Sequence, residues 1–379
     1  MSPKKEKAWV FASIVAGFTI LIIVVCGEIG LRFVLRQGLV TAIQPTNRYI
    51  FLREYRPDQI LEIQPTYRYV SESDGLTAKR VRLAVDGDGF IGGAQRYETP
   101  DGTIAFLGGS TTECLYLDED KRFPSVVASL LGEKRGWHVR AINAGTSGGN
   151  ALHSINKLIN VVAPKKPQVV VFMHAINDLT TLAYFGSYWN ADRRGNLVVI
   201  EYGEGSFPYM LKLFAKRYVP GYFSMAMVVS DYLNQKVDDE FVFDREMFNA
   251  NLQREERLVN LFSQQLVLFV HVTRAIGATP VLMTQANRIE NNDPFVRDLF
   301  RRTRPGLDYD RWVKVYARFN EEIRRVAAIE HIDLVDLART IPGTKEYAYD
   351  PVHLTERGSV AVAGEIVKIL DRVVPDTKR

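Results

Sequence analysis

The chain has 379 residues, is 46% hydrophobic and carries 48 Lys and Arg against 44 Asp and Glu. That length accommodates one large α/β domain plus an anchor, or two small domains. A net charge of only +4 offers no electrostatic case for nucleic acid, and the two cysteines, Cys26 and Cys114, form no Cys/His pattern for zinc.

The first 36 residues differ from the rest. Lys4, Lys5 and Lys7 precede Ala8 to Gly27, a run of 20 residues without charge. At about 1.5 Å per residue such a helix covers roughly 30 Å, the thickness of a bilayer core. Val25-Cys26-Gly27 matches a signal-peptidase site poorly. The expectation is an uncleaved membrane anchor within residues 1–36, contacting the membrane through residues 8–27. The lysines before it, against Arg32 and Arg36 after it, favour a cytoplasmic tail and a catalytic domain on the extracytoplasmic side.

Residues 37–102 read as an irregular lead-in, broken by Pro45, Pro57 and Pro65, with a turn at Asp86-Gly87-Asp88-Gly89. From residue 103 to 379 the rhythm changes. Short apolar runs at 104–107, 139–142, 169–173, 280–283 and 332–335 predict strands. Amphipathic stretches at 123–131, 151–162, 244–276, 309–330 and 359–373 predict helices. Strands alternating with helices predict an α/β fold with a parallel sheet covered on both faces.

In such sheets ligands bind at the carboxyl ends of the strands. Ser110 follows the first run, in Gly108-Gly109-Ser110-Thr111-Thr112. Gly148 follows the second, and His174-Ala175-Ile176-Asn177-Asp178 the third. Asp350-Pro351-Val352-His353 precedes the last helix. A serine hydroxyl needs a base to attack near neutral pH. His353 is the candidate base, and Asp350 can fix its tautomer. The backbone N–H groups of Ser110 and Gly148 and the side-chain amide of Asn177 are candidate oxyanion donors. Taken singly, each has a plainer reading: a turn serine, a turn glycine, a helix cap at Asn177-Asp178, a chance Asp-x-x-His. His138, His153, His271 and His331 are assigned structural roles, and His174 a structural or substrate-contact role.

The four blocks in this order resemble the SGNH hydrolase superfamily, also called GDSL esterases, over roughly residues 103 to 373. The anchor and lead-in resemble its membrane-associated bacterial branch. The resemblance implies a three-layer flavodoxin-like sandwich, with Ser110, Asp350 and His353 as catalytic residues and Gly148 and Asn177 in the oxyanion hole. It implies ester hydrolysis or acyl transfer without cofactor or metal. Two positions depart from the family pattern. Gly109 replaces an aspartate, and Ala175 replaces the first glycine of the third block.

The expected function is a serine esterase acting on acyl groups of an envelope glycan or lipid. The alternatives are an O-acyltransferase using the same acyl-enzyme and a non-catalytic assembly subunit. Residues 179–243 read as an insertion, in which Tyr184 to Phe223 holds 11 aromatics in 40 residues, against 11% for the whole chain. It is expected either as a lid or groove for a sugar, an acyl chain or the membrane surface, or as a satellite core under a long loop.

Overall fold

A computed structural model describes residues 13–27, 47–50, 52–92, 99–189, 198–201 and 245–374. The chain divides into two compact units, Met1–Arg48 with Ile200–Ser206 and Tyr49–Val199 with Phe207–Arg379. Of the expected anchor, residues 13–27 are described. They form a helix whose side chains are exposed. Residues 8–12 lie outside the described residues, and no helix among the described residues is long and apolar enough to cross a membrane.

In the second unit the lead-in is more ordered than the sequence suggested. Ile60–Ile63 (β1) pairs antiparallel with Val81–Ala84 (β2), with Ile63 opposite Val81. Between them Tyr67–Ser71 (α1) starts at Thr66, whose hydroxyl accepts from the Tyr69 N–H. The expected turn is present: Asp86 Oδ1 accepts from the N–H groups of Asp88 and Phe90.

The core is a five-stranded sheet. Its strands are Gly102–Gly108 (β3), Val139–Asn143 (β4), Val169–Met173 (β5), Thr279–Met283 (β6) and Asp333–Val335 (β7). They lie side by side as β4-β3-β5-β6-β7, all parallel. The order second-first-third-fourth-fifth is that of flavodoxin-like sheets, as expected. Every residue of β3 and β5 is buried, which is why these segments read as unbroken apolar runs rather than alternating ones.

Strand periodicity sends alternate side chains to opposite faces. Ala105, Leu107, Val170, Phe172 and Leu282 enter one apolar cluster. Ile104, Phe106, Val171, Val281 and Met283 enter the other. Against the first pack Ala151–Lys157 (α4), Ile176–Phe185 (α5), Glu255–Ala275 (α7) and Tyr309–Ile329 (α9). Against the second pack Phe123–Arg135 (α3) and Glu356–Val373 (α10). This is the helix–sheet–helix layering the sequence predicted.

Two helical expectations need correction, and one helix is additional to them. The single helix over 244–276 is two, Arg245–Gln253 (α6) and α7, because Arg254 between them has ψ 44°. The helix over 151–162 is α-helical only to Lys157 and continues as a π-type turn. Pro294–Thr303 (α8), capped by the Asp293 side chain on the Phe295 N–H, was not foreseen.

Candidate active site

The strand register aligns the site. Gly108 lies opposite Met173, so the chain leaves β3 and β5 at the same level. These are the first and third strands of the sheet, between which the order reverses, the usual place for a ligand crevice. Ser110 opens the short helix Ser110–Glu113 (α2) after β3, and Asn177 lies in the first turn of α5 after β5.

Here the structure brings three predicted residues into one line. Ser110 Oγ is 2.7 Å from His353 Nε2, and His353 Nδ1 is 2.6 Å from Asp350 Oδ2. The other Asp350 oxygen accepts from the N–H groups of Val352 and His353, at 2.9 and 2.8 Å. The Asp-x-x-His spacing therefore folds back on itself, and one carboxylate holds both the loop and the imidazole. Burial by itself would raise the Asp350 pKa, but the His353 charge and these hydrogen bonds outweigh it and hold the carboxyl below its usual range. Burial likewise presses the His353 pKa down, yet Asp350 carries the net shift upward. An imidazole held with its proton on Nδ1 can accept the Ser110 proton at Nε2.

A residue that sequence reasoning missed completes this group. Tyr69, from α1, places its hydroxyl 3.3 Å from Asp350 Oδ2 and 3.2 Å from His353 Nδ1. Burial and the nearby Asp350 charge push the Tyr69 pKa well up, so it stays a neutral donor. Its ring packs on Tyr116 and edge-on to Tyr349. Only the Thr66 cap signal, which starts α1, was available in the sequence to suggest an ordered element there.

Ser110, Asn177, Asp350, His353 and Tyr69 line one cavity of about 1090 Å³. The Asn177 amide donates to the Gly149 carbonyl at 2.8 Å, which leaves its second N–H for another acceptor. Gly109 explains its own departure from the family pattern: a Cβ there would stand 2.3 Å from Asn177 Nδ2. Ala175, the other departure, is buried in the core. The Ser110 and Gly148 N–H groups have no hydrogen-bond acceptor among the described residues. Gly148 adopts φ +72°, but it does not line the cavity. A Cβ at 148 would meet Arg53 Nη1 at 2.3 Å, and that guanidinium donates to the Ser147 carbonyl at 3.2 Å. Arg53 thus lies beside Gly148, which stays exposed.

The loop carrying Gly148 is tied to the serine block through Glu113. This buried carboxylate accepts from the Tyr55 hydroxyl at 2.6 Å and from the Ser147 hydroxyl. Tyr55 and Arg53 also come from the lead-in, so the stretch read as a spacer supplies side chains to the site's frame.

A second Ser-His-Asp alignment lies inside the protein. His174 Nε2 is 2.8 Å from Ser154 Oγ, and His174 Nδ1 is 3.2 Å from Asp178 Oδ2. All three are buried and none lines the cavity. Asp178 Oδ1 accepts from the Ala151 N–H and the Tyr188 hydroxyl, at 2.8 and 2.6 Å. This is a polar brace between α4 and α5, which gives His174 a structural place. His153 is also buried; its Nε2 accepts from the Arg53 N–H at 3.0 Å, and burial lowers its pKa to about 3.

Within the expected insertion, Tyr184 lines the cavity, Tyr188 is core and Trp189 is exposed. The aromatics from Tyr202 to Phe223 lie outside the described residues. Among the described residues no cluster of His, Cys, Asp and Glu is arranged to hold a metal ion.

The family model described as GDSL-like Lipase/Acylhydrolase matches residues 106–361. Among solved structures the chain is similar to a catalytic mutant of Axe2, an acetylxylan esterase from Geobacillus stearothermophilus. Identity is 14%, coverage 73% of this chain and 96% of that one, and the TM-score 0.41. It is similar to the lipase/acylhydrolase from Enterococcus faecalis at 18% identity, covering 72% of this chain and 96% of that one, with TM-score 0.41. An alpha/beta hydrolase enzyme from the metagenome of Lake Arreo, Spain, is similar at 15% identity, covering 74% and 100%, with TM-score 0.41. No curated protein matches the chain by sequence.

Proposed function

The chain belongs to the GDSL-like lipase/acylhydrolase family and is a serine esterase, and on that premise we propose that Ser110 is the nucleophile that removes acyl groups from an envelope glycan or lipid. The observation that carries the assignment is the unbroken hydrogen-bonded line from Ser110 through His353 to Asp350, opening on the cavity.

The chemistry follows from that line. His353 Nε2 takes the Ser110 proton as Oγ bonds to the ester carbonyl carbon. The carbonyl oxygen becomes an oxyanion, met by the Ser110 N–H and the Asn177 amide. Collapse breaks the bond to the alcohol, which leaves with the proton held by His353. Water then attacks the acyl-Ser110 carbonyl and gives its proton to His353. The bond to Oγ breaks, the proton returns to Ser110, and the carboxylic acid is released. Asp350 holds the imidazole and stabilises its charged form throughout.

The same reading anchors the chain through residues 8–27, with the catalytic unit on the extracytoplasmic face. Its support is the uncharged 20-residue run with lysines before it. Mass spectrometry after incubation with acylated glycans and lipids tests the function. An acyl adduct on Ser110 that water releases supports it. No adduct from any ester, with Ser110 also inert to a fluorophosphonate, would overturn it.

A further inference from the structure

The cavity lined by Ser110 and His353 holds a second chemical environment as well. Part of its lining is apolar, supplied by Ile176, Val296, Leu299 and Phe300. The same lining includes two arginines, Arg304 and Arg245. Neither forms an ion pair with a carboxylate among the described residues. Arg68, which also lines the cavity, is paired with Glu72 at 2.9 Å.

Arg304 is also held in place. It lies over the Phe300 ring at 5.5 Å, and its charge acts on the Tyr184 hydroxyl, against the upward push of burial. Arg245 runs along the turn that follows Arg304, since a Cβ on Gly306 would meet its Cδ and Nη1 at 3.4 Å. That turn is fastened to α6 on both sides of Asn249. The Asn249 amide donates to the Gly306 carbonyl at 3.1 Å, and its oxygen accepts from the Asp308 N–H at 3.0 Å. A planar guanidinium fixed by stacking loses little freedom when it binds an oxyanion bidentately.

We infer that Arg304 and Arg245 form an anion subsite within this cavity, and that the natural substrate carries a carboxylate or phosphate and an apolar arm in addition to its scissile ester. The inference rests on the reading of Ser110 as nucleophile and adds the substrate's charge to it. The apolar lining fits a hydrocarbon arm, and the arginines supply partners for an anionic group.

Two matched pairs of esters test this on the full chain. On the acyl side, para-nitrophenyl pentanoate is compared with mono-para-nitrophenyl glutarate. On the alcohol side, acetylated glycerol is compared with acetylated glycerol phosphate. For at least one pair the charged member should have the higher kcat/KM, by roughly tenfold or more, as expected for a charge-assisted contact. The pair that shows it tells a carboxylate-ended acyl group from a phosphate-bearing alcohol. That ratio should collapse toward one in the Arg245→Gln, Arg304→Gln double variant and persist in part in Arg304→Lys. A ratio near one for both pairs in the wild type, or one that the double variant keeps, overturns the inference. If the wild type hydrolyses none of the four, the esterase reading fails on its own. Calorimetric titration with glutarate then reads the subsite directly: binding that the double variant loses supports it, and no binding overturns it.

Discussion

The Tyr69 hydroxyl stands 3.2 Å from Nδ1 of His353, a residue 284 positions away in sequence. The same hydroxyl is 3.3 Å from Asp350 Oδ2, so it shares the carboxylate that orients the imidazole. Donation to Asp350 spreads that negative charge. Tyr69→Phe should therefore leave a more basic carboxylate and a higher His353 pKa. The acid limb of the pH–rate profile should move to higher pH, with a loss of about tenfold in kcat/KM, the size of one hydrogen bond to a charged group. A lower rate with an unmoved limb would reduce Tyr69 to packing.

His353 accepts a proton only when neutral, and its pKa is raised mainly by Asp350 against the opposing effect of burial. Activity should fall as pH drops, with a midpoint above the ordinary histidine value of about 6.5. Asp350→Asn should cost on the order of 10³–10⁴ in kcat by favouring the wrong tautomer. Its effect on stability should depend on pH. The His353 pKa is raised, so its share of stability is full below about 6.5 and lost as pH rises through the folded value. The Asp350 pKa is lowered, so its share is full above about 3.9 and lost as pH falls through the folded value. Asp350→Asn should thus lower the melting temperature more at pH about 5–6 than at about 9. Equal loss at both would contradict an ion pair between them.

Restoring the family's aspartate tests the place of Asn177. In Gly109→Asp the new Cβ would fall 2.3 Å from Asn177 Nδ2, and the neighbouring chain is buried, so the amide must move. Turnover should drop by roughly 10²–10³, the usual loss for one oxyanion donor, and Asn177→Ala should show a similar loss. Full activity in either variant would remove Asn177 from the oxyanion hole.

The two Ser-His-Asp alignments make opposite predictions. A fluorophosphonate should label Ser110 and not Ser154, because Ser154 is fully buried. Ser110→Ala should abolish labelling. Ser154→Ala should leave labelling intact and lower stability by about 1–3 kcal/mol, since the buried His174 Nε2 then lacks its partner. Labelling that survives Ser110→Ala would transfer the nucleophile's role elsewhere.

The apolar runs at 104–107 and 169–173 identified their strands without help, because strands buried on both faces need apolar side chains at every position. The alternation with helical stretches then implied a parallel sheet. Asp350 and His353 were legible as a pair because they sit three residues apart on one loop, and the contact between them is local. The break at Arg254 was not legible, since both halves keep the same helical period and only one ψ angle separates them.

By itself, then, the sequence determined what depends on local pattern: the layered α/β class, the strands, and the polar blocks that leave them. Tertiary structure alone decided which blocks meet. It brought Tyr69 to His353, Arg53 beside Gly148 and Asn177 against Gly109, and it separated the cavity-lining serine from the buried one. The physical reason is that hydrophobic periodicity constrains residues a few positions apart. A hydrogen bond such as that of Ser110 to His353 joins residues 243 positions apart, through a sheet register that no short window of sequence contains.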